Sequence, residues 1–289
     1  MKETGKRIVA ALVCVMLMVC LLPVNAHADT GPKPSVEVTL ENLDGRECYG
    51  TLLSKTDQVP LAGVWDGNEN NRDLSYNLDE DIWRAFVDYK DADGFYYLQH
   101  AWRCDETGSF SWDYHPPETF KILLYFPGTG EFAVSGILER YAFDSYFTAD
   151  LTDGTMAVRR SYNYTQDIAG FIARVMMTIL IELGVALLFG LRERNLLVLI
   201  TGVNLVTQAA LNVVLRAIYN AEGPWAVLIF YIPLELAVFI VEAVVYCLTF
   251  HRFTERMIGK GKIVLYALAA NVCSFVIGWV ISRFIPAMF

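Results

Sequence analysis

Four polar residues, Glu182, Asn204, Glu242 and Asn271, fall one in each of four long apolar stretches of this 289-residue chain. Each stands eight or nine residues from the end of its stretch that lies next to basic residues. At about 1.5 Å per helical residue, all four occupy one level, roughly 12–14 Å from that end. Gln208, Asn212 and Glu235 form a second layer about two turns further along. A carboxylate at the middle of a bilayer costs about 2.5–3.5 kcal/mol on insertion scales, so these groups must face one another or a water-filled cavity. Two carboxylates close together in a low dielectric repel when both are ionised. That is the pattern of a proton-relay or ion site, or of a small-ligand pocket. The alternative is structural: acids and amides hydrogen-bonded to hold a bundle together. Hydrolase chemistry has less to rest on. His251 sits at the membrane edge, and no metalloprotease motif, nucleophile elbow or phosphate loop is present. No metal site and no cofactor are expected. An enzyme using the carboxylates as acid and base is the weakest reading.

The elements that must position these residues are four helices over 168–191, 195–218, 225–250 and 263–285, each long enough to span. Arg174, Thr178 and Glu182 recur every fourth residue and share a face. Asn204, Gln208, Asn212 and Arg216 do the same, and Tyr231, Glu235, Glu242 and Tyr246 lie along one stripe near Pro233. Ala270, Ser274, Gly278 and Ser282 make a small-residue ridge beside Asn271, suited to close helix packing. Arg174, Arg216 and Arg283 fall near the opposite boundary, where their side chains can reach the interface. Arg192 and Arg194 lie in one loop, and Arg252, Arg256, Lys260 and Lys262 in another, whereas 219–224 holds Glu222 and no base. The positive-inside bias puts the basic loops in the cytoplasm, and residues 29–167 and the C-terminus outside.

Residues 1–28 read as a cleaved signal peptide. Lys2, Lys6 and Arg7 precede an apolar run to Leu22, Pro23 breaks it, and Ala26-His27-Ala28 forms the cleavage site. Residues 29–167 carry 11 basic and 25 acidic residues, net −14, against +3 for residues 168–289. Such an acidic domain repels phosphates and is no nucleic-acid binder. Alternating apolar and polar residues over 36–40 mark a half-buried strand. Similar runs follow at 49–53, 82–89 (or a short helix), 95–102, 120–126, 132–138 and 141–147, separated by Asp-Gly and Pro-Gly turns. The expected fold is an all-β domain, an antiparallel sandwich with an immunoglobulin-like arrangement as one option, followed by an all-α four-helix transmembrane bundle over 168–289.

Of six cysteines, Cys14 and Cys20 leave with the signal peptide, and Cys247 and Cys273 lie in apolar helices. Cys48 and Cys104 remain, and an oxidising compartment permits a disulfide or two free thiols. Asp66, Asn68, Asn70, Asp73, Asp79, Glu80 and Asp81 offer oxygen ligands, but Asn71 and Asn77 occupy the positions where an EF-hand needs Gly and an acid, so a solvated loop is the expectation. Tyr96, Tyr97, Trp102, Trp112, Tyr114, Tyr141 and Tyr146 could stack on a glycan or peptide, or fill the core.

Four segments carry a resemblance: Cys48-Tyr49-Gly50-Thr51-Leu52-Leu53, Arg140-Tyr141-Ala142-Phe143-Asp144, Phe189-Gly190-Leu191-Arg192-Glu193-Arg194 and Val203-Asn204-Leu205-Val206-Thr207-Gln208. In them the chain resembles an uncharacterised family of Gram-positive bacterial multi-pass membrane proteins with an extracytoplasmic β-domain. The resemblance implies a bacterial envelope setting and no particular activity. The leading expectation is a membrane-anchored envelope protein whose outer domain binds a protein or glycan. The rival is an ion- or proton-coupled transporter subunit working through Glu182, Glu235 and Glu242 in a homo-oligomer or with a partner.

Overall fold

The computed structural model describes residues 31–72, 78–152 and 155–282. The expected signal peptide over 1–28, with Cys14 and Cys20, and Asp73, Asn77, Arg283 and the C-terminus lie outside the described residues.

The first half is a two-sheet sandwich. One sheet runs β12 (Ala157–Arg160), β11 (Asp144–Asp150), β1 (Ser35–Glu41), β7 (Ser109–Trp112). The other is built on β2 (Tyr49–Ser54) and β8 (Thr119–Phe126), with β5 (Tyr96–Tyr97) and β6 (Trp102–Arg103) on β2, and β9 (Glu131–Val134) and β10 (Leu138–Glu139) on β8. A ribbon of β3 (Gln58–Val59) and β4 (Ala62–Gly63) stands apart. Val36, Val38 and Leu40 turn inward while Glu37, Thr39 and Glu41 face water, as period-two alternation requires. They meet Phe110, Trp112 and Phe147 of their own sheet and Leu52, Phe120, Ile122, Leu124 and Phe126 of the other in one core.

β8 reads as an almost unbroken apolar run because both of its faces are covered. Its far face, with Leu123 and Tyr125, packs with Leu53 and Tyr97 under α1 (Glu80–Asp88), which lays Ile82 and Phe86 on the sheet. Lys121 also points to that far face and is only 4 % exposed. It is tolerated there because its ammonium donates to Asp91 at 2.8 and 3.0 Å and to Asp93 at 2.5 Å. Asp91 also accepts the amides of Asp93 and Phe95.

Several strand expectations need correction. Residues 82–89 belong to a helix. The run 95–102 is two short strands, because Gln99 adopts φ 63° and its side-chain amide donates to the Gly63 and Asn71 carbonyls. The strand expected over 141–147 starts at Asp144, and 132–138 divides between β9 and β10. β7 and β12 carry too short a pattern to stand out. The sandwich is not wholly antiparallel: β1 and β11 pair in parallel, Ser35 opposite Asp144 through Glu41 opposite Asp150. A parallel pair needs a long crossover, and the rest of the domain supplies it. Cys48 and Cys104 are buried, side by side and free; the Cys104 amide donates to the Cys48 carbonyl at 2.8 Å. The hydrogen bond to Cys48, then burial, raise the Cys104 thiol far above its usual range.

Four helices follow: α2 (Tyr164–Leu188), α3 (Arg194–Glu222), α4 (Pro224–Phe253) and α5 (Lys260–Ser282). All four are long and apolar enough to cross a membrane. Asn163 caps α2 by accepting the Gln166 amide at 3.2 Å. Each helix packs against two neighbours, in the ring α2–α3–α4–α5. Outward positions are apolar (Ile172, Leu180, Val206, Ile232, Val272), while Glu182, Asn204 and Glu242 face inward with no exposure. That inversion suits lipid as the surrounding solvent and makes the chain a multi-pass membrane protein.

The sandwich is docked on one end of the bundle. The Phe143 amide donates to the Asn220 carbonyl at 2.8 Å, and Tyr219 donates to Asp144 at 2.8 Å. Asp144 also accepts Ser35 at 2.7 Å, which ties β1 into the joint. Arg216 pairs with Asp167 at 2.9 Å and lies over the Tyr162 ring at 4.7 Å, so it is anchored rather than reaching for an interface. Gly223, at φ 81°, turns α3 into α4; a Cβ there would sit 2.5 Å from the Phe143 ring. At the far end, Arg256 meets Glu193 at 3.2 Å and joins the two basic loops.

Lys121→Met, which leaves Asp91 buried without its cation, should destabilise the protein by about 3–5 kcal/mol in chemical unfolding. Burial opposes ionisation of Asp91, but the Lys121 bond and the two amides outweigh it and lower the carboxyl below its usual value. A depressed carboxyl contributes stability above the unfolded value, about pH 4, and loses it as pH falls through the folded one. Asp91→Asn should therefore flatten the acid limb of the stability curve. Gly223→Ala, forced into both a strained φ and the Phe143 ring, should lower stability by about 1–3 kcal/mol in thermal unfolding.

Candidate functional site

The level predicted for Glu182, Asn204, Glu242 and Asn271 exists, and its members are bonded to one another. Asn204 of α3 donates to Glu182 of α2 at 2.6 Å. Asn271 of α5 donates to Glu242 of α4 at 2.7 Å. The two pairs are built alike. Each amide nitrogen also donates to the carbonyl one turn back on its own helix, Ile200 at 3.1 Å for Asn204 and Ala267 at 3.0 Å for Asn271. Those back-bonds hold each amide with its nitrogen toward the carboxyl group.

Two hydroxyls join the pairs. Thr207, less than one turn beyond Asn204, donates to Glu242 at 2.7 Å. Tyr246, one turn beyond Glu242, brings its oxygen 3.1 Å from the Asn204 nitrogen. The network thus runs Glu182–Asn204–Tyr246 and Thr207–Glu242–Asn271, touching all four helices. Thr207 was not picked out from the sequence, although its spacing from Asn204 places both on one face. Tyr266, buried beside Tyr246 with ring centroids 5.9 Å apart, was also missed, since an aromatic in an apolar run carries no signal of its own.

The second layer is looser. Arg174 donates to Asn212 at 3.0 Å, and Asn212 donates to the backbone carbonyl of Gln208 at 2.8 Å. The Gln208 side chain is buried. Tyr231 hydrogen-bonds Glu235, one turn on along the same helix. Glu235 is half-buried and hydrogen-bonds no residue of the first layer among the described residues, so the structure groups it with Tyr231 instead of with Glu182 and Glu242.

The two sides of the cluster differ. Toward the basic loops, Tyr246, Phe250, Tyr266 and Phe189 stack edge on ring at centroid distances of 5.0–6.4 Å and form an apolar plug. Toward the β-domain lie Arg174, Gln208, Asn212, Tyr231 and Glu235. The cluster thus has polar side chains on its domain side and rings on the other.

Chemically, the cluster presents acceptors. Glu182 Oε1, Asn204 Oδ1, Asn271 Oδ1 and Tyr266 Oη are buried without a hydrogen-bond partner. Among the described residues, no Lys, Arg or His is salt-bridged to Glu182 or Glu242. No group of three or more His, Cys, Asp or Glu suited to a metal occurs among the described residues. The calcium-like loop in the outer domain is self-satisfied: Asp66 accepts the Asn68 amide at 2.9 Å and the Asn71 side chain at 2.7 Å. Of the aromatic set, Tyr97 and Trp112 are core, and Tyr96 is exposed.

A double-mutant cycle tests the bond that defines the site. Glu182→Leu and Asn204→Leu, singly and together, should give a coupling of about 0.6–1.7 kcal/mol in the unfolding of the detergent-solubilised protein. Additive effects would show that the pair does not act together. No protein-family model, no curated protein and no solved structure matches this chain, so the reading of its site rests on geometry.

Proposed function

We propose that this is an integral membrane protein of the bacterial cell envelope, with the β-domain outside and a four-helix unit that takes up positive charge at Glu182 and Glu242. One observation carries the reading: two carboxyl groups, both with no solvent exposure, share a hydrogen-bonded network that contains no basic side chain. A buried pair of acids needs a counter-charge, because an unpaired ion in a low dielectric costs several kcal/mol. A proton or a small cation supplies it. The polar column on the domain side supports entry from outside, and the aromatic plug makes passage toward the basic loops the gated step. Four helices make a small transporter, so a homo-oligomer or a subunit role fits this reading.

Orientation draws support from the ends of the bundle. The sandwich is docked at the end opposite Arg192, Arg194, Arg252, Arg256, Lys260 and Lys262, and basic loops favour the cytoplasm.

A second reading has its own observation. The Phe143–Asn220 and Asp144–Tyr219 bonds fix the outer domain to the helix ends, the arrangement expected of a receptor whose domain binds an envelope protein or glycan and reports to the bundle.

The test is ion movement. In liposomes holding the purified full chain, an imposed gradient should drive charge uptake, read by an internal pH dye and by potential. Glu182→Gln with Glu242→Gln should abolish it. Flux equal to wild type in that variant would retire the charge-uptake reading and leave the receptor. Cleavage of the β-domain by protease added to intact cells should accompany protection of the 254–259 loop.

A further inference from the structure

The three orphan acceptors define more than a demand for charge. The Asn271 nitrogen donates to a carboxyl oxygen and to a carbonyl of its own helix, the Asn204 nitrogen faces the same two kinds of acceptor and the Tyr246 oxygen besides, and Oδ1 of each is left bare. Rotating either amide would set oxygen against those acceptors, so the bare oxygen is enforced by its neighbours. Glu182 Oε1 is bare for a related reason: Asn204 engages only Oε2. Tyr266, fully buried, adds a fourth unpartnered oxygen. The residues bearing these oxygens are nine-tenths or more buried. Buried polar atoms are nearly always satisfied, and a set made of acceptors and one hydroxyl calls for a ligand that offers only positive charge.

We propose that these oxygens, from Glu182, Asn204, Asn271 and Tyr266, bind a dehydrated alkali cation, with sodium as the fitting case. The donor set decides the class. Carboxylate, amide carbonyl and phenol oxygens are hard ligands, and the absence of sulfur or imidazole from the network disfavours transition metals. Calcium takes six to eight oxygens, more than the four bare ones, and magnesium keeps several waters that an enclosed cluster between packed helices must also house. A single positive charge beside Glu182 leaves Glu242 to its two bonded partners, Thr207 and Asn271. The inference rests on the reading of this cluster as a counter-charge site and names what occupies it. Water alone would satisfy acceptors but not neutralise two acids. A proton would neutralise one acid but leave the two amide oxygens bare. An alkali cation neutralises one acid, Glu182, and engages the bare amide oxygens as well.

The full chain in detergent is unfolded thermally while choline chloride is replaced by sodium chloride at constant ionic strength, above and below neutral pH. Sodium should raise the midpoint in a saturable way, as a ligand that binds only the folded state must. The effect should be larger above neutral pH, where protons compete less. Glu182→Gln and Asn271→Leu should each weaken the apparent sodium affinity by about tenfold or more. If either variant fails to fold, equilibrium dialysis of radioactive sodium on wild type stands in, with one ion bound per chain expected. Equal midpoints in sodium and choline at both pH values, or a rise with calcium and none with sodium, would overturn the assignment. Liposome flux that is proton-driven, sodium-independent and lost in the double carboxamide variant would do the same, while leaving the charge-uptake reading in place.

Discussion

Everything in the membrane half depends on how an acid is kept where lipid surrounds the protein. The solution is to give each carboxyl a carboxamide from the next helix: Glu182 of α2 takes Asn204 of α3, and Glu242 of α4 takes Asn271 of α5. Each bond is also a staple between adjacent helices. Thr207 and Tyr246 add the third staple, α3 to α4. Between lipid-facing helices there is little hydrophobic drive to associate, because lipid tails are as apolar as leucine. Polar bonds and close packing must then set the register. The buried acids therefore specify the bundle as well as charge it, and the structural and functional readings of the cluster are not rivals. The same network holds the helices together and leaves acceptors bare.

The same logic extends to the joint with the sandwich. Asp144 opens β11, accepts Ser35 at the start of β1 and accepts Tyr219 near the end of α3. One carboxylate thus links the first strand, a late strand and a membrane helix. Phe143 fills the space that Gly223 leaves at the α3–α4 turn. A movement of α3, which carries Asn204 and Thr207, would be felt at this corner, and the parallel β1–β11 pair would carry it into the sheet. Coupling of this kind needs two arrangements of the joint, which is a stronger requirement than contact.

Much of this was legible from residue types and spacing. The level of Glu182, Asn204, Glu242 and Asn271 follows from helical rise alone, because a membrane span is regular and its ends are marked by charge. β1 and β8 were equally plain, one by alternation and one by an apolar run. What could not be read depended on tertiary cover. Residues 82–89 show apolar side chains that suit either a strand or a helix, and only packing against Leu123 and Tyr125 decides. Gln99 breaks 95–102 through bonds to Gly63 and Asn71, residues far off in sequence. Lys121 occupies a covered face only because Asp91, remote in sequence, receives its ammonium. Thr207 and Tyr266 were hidden because hydroxyls and rings are ordinary in membrane helices. The separation of Glu235 from the other two acids depends on Tyr231 lying closer to it.

The asymmetry about the cluster bears on what the bundle can do. A site reached equally from both sides would leak. Here the basic side is closed by Tyr246, Phe250, Tyr266 and Phe189. Two of those rings also belong to the site: Tyr246 contacts Asn204, and Tyr266 carries a bare hydroxyl. A ligand that engages Tyr266 must pull on the ring stack that closes the far side. The plug and the site therefore share atoms, so occupancy and closure cannot vary independently. In a ring of four packed helices, the smallest adjustment that relieves a bare oxygen is a ring rotation or a small helix shift at this level, and either opens or tightens the stack. On the proposed reading, binding from the domain side and sealing toward the basic side are therefore coupled through the Tyr266 ring.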